Sequence, residues 1–357
     1  MVAPSPNSLV ESKCITNDLP LSDNVEQMVG MVLLGDWRGF TEQAILGADG
    51  PANPVQFLPL STWISPSNQW AFEDKRVDGA ITEVTIMNLH TGQETKTLFE
   101  PGLVLHGGII QWLNETTLFT FLPNEDPYWE GEIYYLFLWD VVTNQQITKT
   151  IRLEHIVPPI FYHLNPVVDP QQQYIVYLCS ECLAGKEGYV VKELETGETQ
   201  WVIPLESKPE IPNRGTPVWS PNGQYVAVTS GPSLNEILIY NRQGKEVDRI
   251  VLPTDISVTS FVHNWSPDGK YLTFVRALDG VEGWALAYYS LESKHIIDLC
   301  ISNSWLYWSP GGTKFAFTQI IGDEKIVRIV DAATSEITSF DGMGFTLAGW
   351  INLPVVP

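Results

Sequence analysis

The stretch WSPDGKYLTFVR at residues 265–276 decides the fold of this 357-residue chain. Pro267 sets the φ angle of the first turn position, and Gly269 accepts a left-handed one, so a tight turn forms locally. Apolar and aromatic residues then alternate with other residues, as is typical of a β-strand. The stretch therefore predicts a β-hairpin whose first strand ends at Trp265.

The same pattern recurs along the chain with a regular spacing. Two further good copies read WSPNGQYVAVTS at 219–230 and WSPGGTKFAFTQ at 308–319. Three degenerate copies read WISPSNQWAFED at 63–74, WLNETTLFTFLP at 112–123 and VVDPQQQYIVYL at 167–178. Aligned on the proline position, the copies are separated by 48, 56, 51, 46 and 43 residues, and by 42 to a seventh anchor at Asn352. Such a period suits one four-stranded blade of a β-propeller.

Each repeat has a second turn about 25 to 30 residues after the proline position, for example Leu194-Glu-Thr-Gly-Glu198. A β-rich run such as Glu236-Ile-Leu-Ile-Tyr240 precedes each of these turns. Each repeat is therefore predicted to form strand A ending at Trp, a turn, strand B, a variable loop, strand C, the second turn and strand D. The Trp and the aromatic residues of strand B are expected to fill the space between neighbouring blades.

The two ends of the chain are expected to close the ring. The seventh strand A ends at Trp350, only seven residues before the last residue, so its outer strands must come from elsewhere. The runs Gln27–Leu34 and Thr41–Leu46 supply them, which hides sheet edges. We therefore predict a seven-bladed propeller over residues 25–357, preceded by a flexible or loosely docked lead-in over residues 1–24; six blades is the alternative.

The repeat at 265–274 resembles that of TolB-type β-propellers, which are relatives of the WD-repeat proteins. The resemblance covers about residues 61–350 and is weaker in the second and third repeats, where Trp112-Leu-Asn114 and Val168-Asp-Pro170 replace the motif. It implies a bacterial, often extracytoplasmic, binding or scaffold propeller, which is sometimes attached to a catalytic domain. No segment is left over for such a domain once the repeats are counted.

Composition excludes several function classes. The chain carries 20 Lys and Arg against 42 Asp and Glu, a formal charge of −22. This excess argues against unassisted binding to nucleic acid or to an anionic membrane, because both need a cationic surface. No run of 18 apolar residues suggests a membrane-spanning helix. No phosphate-binding glycine loop and no nucleophile elbow is present, so nucleotide use and serine nucleophile chemistry are not expected.

The four cysteines leave the redox state open. Cys179 and Cys182 form one C-x-x-C pair, whereas Cys14 and Cys300 lie far apart in the sequence. A four-thiolate zinc site normally shows two such pairs, and a thioredoxin-like site needs a βαβ context. The pair is either a local disulfide or two free thiols.

Binding residues are expected in the loops that join strand B to strand C. These loops lie at the end of the blades opposite the Trp-Ser-Pro turns, and several are acidic, including Glu73–Gly79 and the second-blade loop. In the second blade, the candidate ligand-binding residues are Glu125, Asp126, Tyr128, Trp129 and Glu130. Aromatic rings among carboxylates suit a sugar or a cation. The alternative is an ordinary long loop whose Trp folds back onto the rim.

Three histidines form a separate candidate site. His106, His163 and His263 lie on or just before predicted innermost strands, where imidazoles could converge on the central channel and bind a metal. Oligogalacturonide lyases resemble these propellers in repeat type and bind a metal with histidines near their centre, but their full ligand set is not found here. Buried structural histidines are the alternative.

The sequence thus predicts a monomeric, non-catalytic, extracytoplasmic binding or scaffold propeller. Its acidic loop end is expected to recognise a protein, peptide or glycan, without nucleic acid and without a cofactor. The alternative function is a metal-dependent lyase or hydrolase that acts on a polysaccharide, with a divalent metal held by the histidines.

Overall fold

A computed structural model gives the fold. It describes residues 9–12, 14, 19–23, 27, 30–34, 43–47, 50–52, 63–65, 69–78, 81–89, 91–99, 111–123, 133–156, 166–182, 187–205, 216–230, 235–252, 264–277, 284–301, 306–341 and 346–350. The N-terminal strands are β1 (Leu9–Ser12), β2 (Met31–Leu34), β3 (Gln43–Gly47) and β4 (Gly50–Ala52). No α-helix occurs among these residues, and none of them forms a helix that is long and apolar enough to cross a membrane.

Six consecutive segments then each form a four-stranded antiparallel blade, with strands A to D in chain order. Blade one contains β5 (Trp63–Ile64), β6 (Trp70–Asp78), β7 (Ile81–Asn88) and β8 (Glu94–Phe99). Blade two contains β9 (Gln111–Trp112), β10 (Thr117–Pro123), β11 (Ile133–Asp140) and β12 (Gln145–Arg152). Blade three contains β13 (Val167–Val168), β14 (Tyr174–Cys179), β15 (Gly188–Glu193) and β16 (Thr199–Pro204).

The second half of the chain repeats this arrangement. Blade four contains β17 (Val218–Trp219), β18 (Tyr225–Ser230), β19 (Glu236–Asn241) and β20 (Glu246–Val251). Blade five contains β21 (Asn264–Trp265), β22 (Tyr271–Ala277), β23 (Trp284–Ser290) and β24 (His295–Asp298). Blade six contains β25 (Tyr307–Trp308), β26 (Lys314–Ile321), β27 (Glu324–Asp331) and β28 (Ile337–Asp341). The fold is an all-β propeller. Six blades are each built from one consecutive segment, which matches the alternative prediction of six blades rather than the main prediction of seven.

The chain ends form a further four-stranded sheet. Strand β29 (Thr346–Trp350) pairs antiparallel with β2, and β3 and β4 follow outward in the order β29-β2-β3-β4. The expected pairing of an N-terminal strand with the last strand is therefore present. Trp350 is buried in one cluster with Ala316, Val327 and Ile329 of blade six, so this sheet packs against blade six.

The turns have the geometry that the repeat predicts. Gly223, Gly269 and Gly312 have positive φ angles of 62°, 71° and 70°. In each of the six blades, the first residue after strand C donates its backbone N–H to a carbonyl of the A–B turn, at 2.8–3.1 Å. This bond joins the two turns of a blade at one end, which we call the turn face. The opposite end, where B leads to C and D leads to the next blade, is the loop face.

The core lies between blades, and the motif Trp is its main component. Trp219, Trp265 and Trp308 are 5–8 % exposed, and each belongs to a cluster that contains residues of the preceding blade. Val168 takes this position between blades two and three. Burial of large apolar surface between sheets is the main favourable contribution to this architecture.

The lead-in is docked onto the propeller where the structure describes it. Strand β1 adds in parallel to β24 at the outer edge of blade five. A disulfide joins Cys14 to Cys300, and Ser22 donates its N–H to the Ser339 carbonyl of blade six at 2.7 Å. Edge pairing and the disulfide hold the segment across two blades.

One loop expectation was wrong. Residues Glu73–Gly79 were assigned to the B–C loop of blade one, but strand β6 continues to Asp78 and only residues 79–80 separate it from β7. The backbone pairing with β7 continues through this charged stretch, with Lys75 opposite Glu83 in the register. The B–C connection of blade one is therefore only two residues long.

Candidate functional site

The two faces of the propeller differ in the charge of their connecting segments. The six B–C and six D–A connections of the loop face contain fourteen acidic residues and three basic residues: Glu100, Glu125, Asp126, Glu130, Glu132, Glu154, Glu181, Glu187, Glu206, Glu210, Asp255, Asp279, Glu282 and Asp323 against Lys186, Lys208 and Arg214. The turn-face connections contain seven acidic and four basic residues: Glu115, Asp169, Glu195, Glu198, Asp268, Glu292 and Glu336 against Arg242, Lys245, Lys270 and Lys294. The difference in charge, −11 against −3, arises mainly because the loop-face connections contain twice as many acidic residues.

The candidate binding residues of blade two fall in one loop-face connection. Glu125, Asp126, Tyr128, Trp129 and Glu130 belong to residues 124–132, which lie outside the described residues. The strand ends on either side of them, Pro123 and Tyr134, are paired with each other in the β10–β11 hairpin. These five residues therefore stay a prediction.

The base of this connection is a buried aromatic pair. The rings of Phe121 and Tyr134 stack with their centroids 4.9 Å apart, and both side chains are buried. Burial raises the pKa of the Tyr134 hydroxyl to about 12, so it stays neutral across the physiological range. The hairpin that carries the candidate residues is thus anchored in the core between blades two and three.

The three candidate histidines also lie outside the described residues. His263 directly precedes β21, whereas His106 and His163 precede β9 and β13 by a few residues. Within the described part of the chain, no three His, Cys, Asp or Glu side chains lie together in a way that could hold a metal ion. The structure therefore neither brings the histidines together nor separates them.

The cysteine pair is oxidised. Cys179 and Cys182 form a disulfide at the loop-face end of strand β14, at the start of the B–C connection of blade three. Together with the Cys14–Cys300 bridge, it leaves no free cysteine among the described residues. The sequence left both states of this pair open, and the structure selects the local disulfide.

The turn face contains an internally filled site between blades three and four. The Arg242 guanidinium lies over the Tyr174 ring, 4.8 Å from its centroid, and pairs with Asp169 at 2.6 Å between Nη2 and Oδ2. It also donates to the Gln173 side chain at 2.9 Å. Asp169 is fully buried and accepts the backbone N–H of Tyr174. A stacked guanidinium with a buried carboxylate is a favourable arrangement because attraction is weakly screened there.

An open groove occupies the next position on the turn face, between blades four and five. Its volume is about 390 Å³, and it is lined by Asn222, Tyr225, Val247, Asp268, Gly269, Lys270, Leu291, Glu292 and Lys294. Within it Lys270 pairs with Asp268 at 3.2 Å, and Lys294 pairs with Asp248 at 2.5 Å. Sequence reasoning missed this groove because it treated the turns only as structural elements.

Comparisons with known proteins show the fold. No family model matches the chain, and no curated protein matches it. An oligogalacturonate lyase from Vibrio parahaemolyticus is similar with a TM-score of 0.52 at 12 % identity, over 86 % of this chain and 83 % of that one. A candidate 6-phosphogluconolactonase from Bacteroides uniformis has a TM-score of 0.52 at 14 % identity, over 90 % and 96 %.

TolB from Acinetobacter baumannii is also among the similar structures, at 12 % identity over 82 % of this chain and 88 % of that one. Its TM-score of 0.36 carries no argument for a closer relationship. The chain is therefore a β-propeller of four-stranded antiparallel blades. Since propellers with different activities share this scaffold, function must be argued from the chain's own residues.

Proposed function

We propose that this chain is a non-catalytic binding propeller of the TolB type that recognises a protein, peptide or glycan on its acidic loop face. The observation that carries the proposal is the charge difference between the two faces, fourteen acidic and three basic residues against seven and four. A face of one sign attracts ligands of the opposite sign and raises their association rate. Tyr128 and Trp129 add apolar contact within the most acidic connection.

An extracytoplasmic location forms part of the proposal. Disulfides persist in oxidising compartments and are rare in the reducing cytosol. The described residues contain two, and the Cys14–Cys300 bridge joins residues 286 positions apart. This supports a periplasmic, cell-surface or secreted protein.

We also propose that the terminal sheet is the seventh blade. Its strand β29 lies beside β25, and Trp350 packs against blade six as Trp308 packs against blade five. A blade that mixes both chain ends closes the ring without exposed sheet edges, and it keeps the loop-face residues in fixed positions.

Two matched variants test the binding face. The loop variant combines Glu125→Gln, Asp126→Asn, Glu130→Gln and Glu132→Gln, and the turn variant combines Glu115→Gln, Glu195→Gln, Glu198→Gln and Glu336→Gln. Each removes four negative charges. Binding is measured to a labelled ten-residue oligolysine peptide and to an array of neutral and acidic oligosaccharides.

We expect the loop variant to lose peptide binding and the turn variant to keep it. Salt should weaken the peptide interaction, because the Debye length falls from about 10 Å at 0.1 M to about 3 Å at 1 M. An oligosaccharide ligand should instead be lost in Trp129→Ala and show little dependence on salt. Equal effects of both variants would refute the assignment to the loop face. Conversion of any oligosaccharide in the presence of divalent metal would refute the non-catalytic role.

A further inference from the structure

The filled site between blades three and four and the groove between blades four and five are equivalent positions of the repeat. Tyr225 corresponds to Tyr174, because the backbone carbonyl of each accepts the N–H of the residue that begins its turn, Ser220 and Asp169 respectively. Leu291 corresponds to Arg242, because each donates its N–H to the carbonyl that precedes the strand B aromatic. The same scaffold thus presents one position in two states.

In the filled state, the chain supplies its own ligand. The guanidinium of Arg242 covers the Tyr174 ring, and the indole of Trp201 lies beside it, donating to the Arg242 carbonyl at 3.3 Å. In the open state, Leu291 takes the place of Arg242 and cannot reach across the Tyr225 ring. The space that a guanidinium occupies in one junction is therefore open in the next, with a volume of about 390 Å³.

Charge in the groove favours a cationic occupant. Asp268 and Asp248 are each paired with a lysine, Lys270 and Lys294, whose side chains are mostly exposed at 62 % and 51 %. Glu292 makes no ion pair within the described part of the chain. The groove therefore has one carboxylate in excess, and its lysines can swing into solvent to release a second.

We propose that this groove binds an arginine side chain of a partner peptide, with the guanidinium over the Tyr225 ring and a carboxylate of Glu292 or Asp268 beside it. Arginine suits the site better than lysine because its planar guanidinium stacks on an aromatic ring and forms two parallel hydrogen bonds with a carboxylate. Leu291 and Val247 contact the aliphatic part of the peptide at the rim. The site lies on the turn face and is separate from the proposed loop-face function.

A labelled, end-capped peptide Gly-Ser-Arg-Ser-Gly tests the proposal by fluorescence anisotropy. The citrulline peptide, which has the same shape without the charge, should bind at least about ten-fold more weakly. Tyr225→Leu and Glu292→Gln should each weaken the arginine peptide about three- to ten-fold. The loop variant described above should bind it as the wild type does, which distinguishes the two sites.

A pair of exchange variants supplies the decisive comparison. Ser220→Asp with Leu291→Arg copies the filled site into the open groove and should abolish peptide binding. Arg242→Leu alone empties the filled site, keeps the Asp169 carboxylate, and should raise the number of bound peptides from one to two, measured by calorimetry. Unchanged binding in the first variant, or equal affinity for the arginine and citrulline peptides, would overturn the proposal. Should the first variant fail to fold, the second and the single variants decide.

Discussion

Replacing Trp265 by Ala should remove the main contact between blades four and five. The indole is 5 % exposed and belongs to a cluster with Ile237 and Ile239 of blade four and Leu272 of blade five. Its Nε1–H donates to the Val218 carbonyl at 3.1 Å. Removing a buried aromatic of this size costs about 3–5 kcal/mol, because the surrounding side chains refill the cavity only in part.

Two further variants divide that cost into its parts. Trp265→Phe keeps an aromatic ring but loses the hydrogen bond to Val218 and part of the buried ring, so its cost should lie between about 1 kcal/mol and the cost of Trp265→Ala. Val142→Ala changes a side chain that is 60 % exposed and should stay within about 0.5 kcal/mol of the wild type. The free energy of unfolding is measured by guanidinium titration with far-UV circular dichroism. A loss below about 1 kcal/mol for Trp265→Ala would refute the role of the motif Trp between blades.

Two other predictions concern a turn and an ion pair. Gly269→Ala should destabilise the protein more than Gly92→Ala. Both glycines have positive φ, but of the two only Gly269 places the added Cβ against a neighbour, Asn222 Nδ2 at 3.1 Å. The melting temperature of Gly269→Ala should therefore be the lower one. Equal losses would show that the neighbouring turn yields freely. Burial alone would raise the pKa of Glu154, but the hydrogen bond from Lys192 and its charge outweigh this and lower it. The stabilisation of the fold by the Glu154–Lys192 pair is therefore complete above the ordinary pKa of about 4.5, and it is lost as the pH falls through the lower pKa of the folded state. Glu154→Gln should remove this part of the acid dependence when the free energy of unfolding is measured against pH. If the loss of stability at low pH is unchanged in that variant, the pair does not contribute to it.

The sequence predicts the blades well because each blade is specified locally. The turn at Pro267 and Gly269 and the alternation that follows need no distant contact, so the hairpin repeats wherever the pattern does. The docking of the lead-in could not be predicted in this way. Its edge pairing with β24 and its bridge from Cys14 to Cys300 join residues almost 290 positions apart, and neither end carries a local signal of the other.

The groove between blades four and five was hidden from sequence reasoning for a different reason. The motif does not fix the residue at this position, so the sequence alone does not show that a guanidinium fills one of the junctions. The six blades have Leu89, Val141, Leu194, Arg242, Leu291 and Ala332 there. Only when Arg242 is seen over Tyr174 does Leu291 beside Tyr225 become informative, because the two junctions share one backbone. In a repeat protein, the best guide to the ligand of an open position is therefore the side chain that fills the same position elsewhere in the chain. For this propeller, that side chain is an arginine.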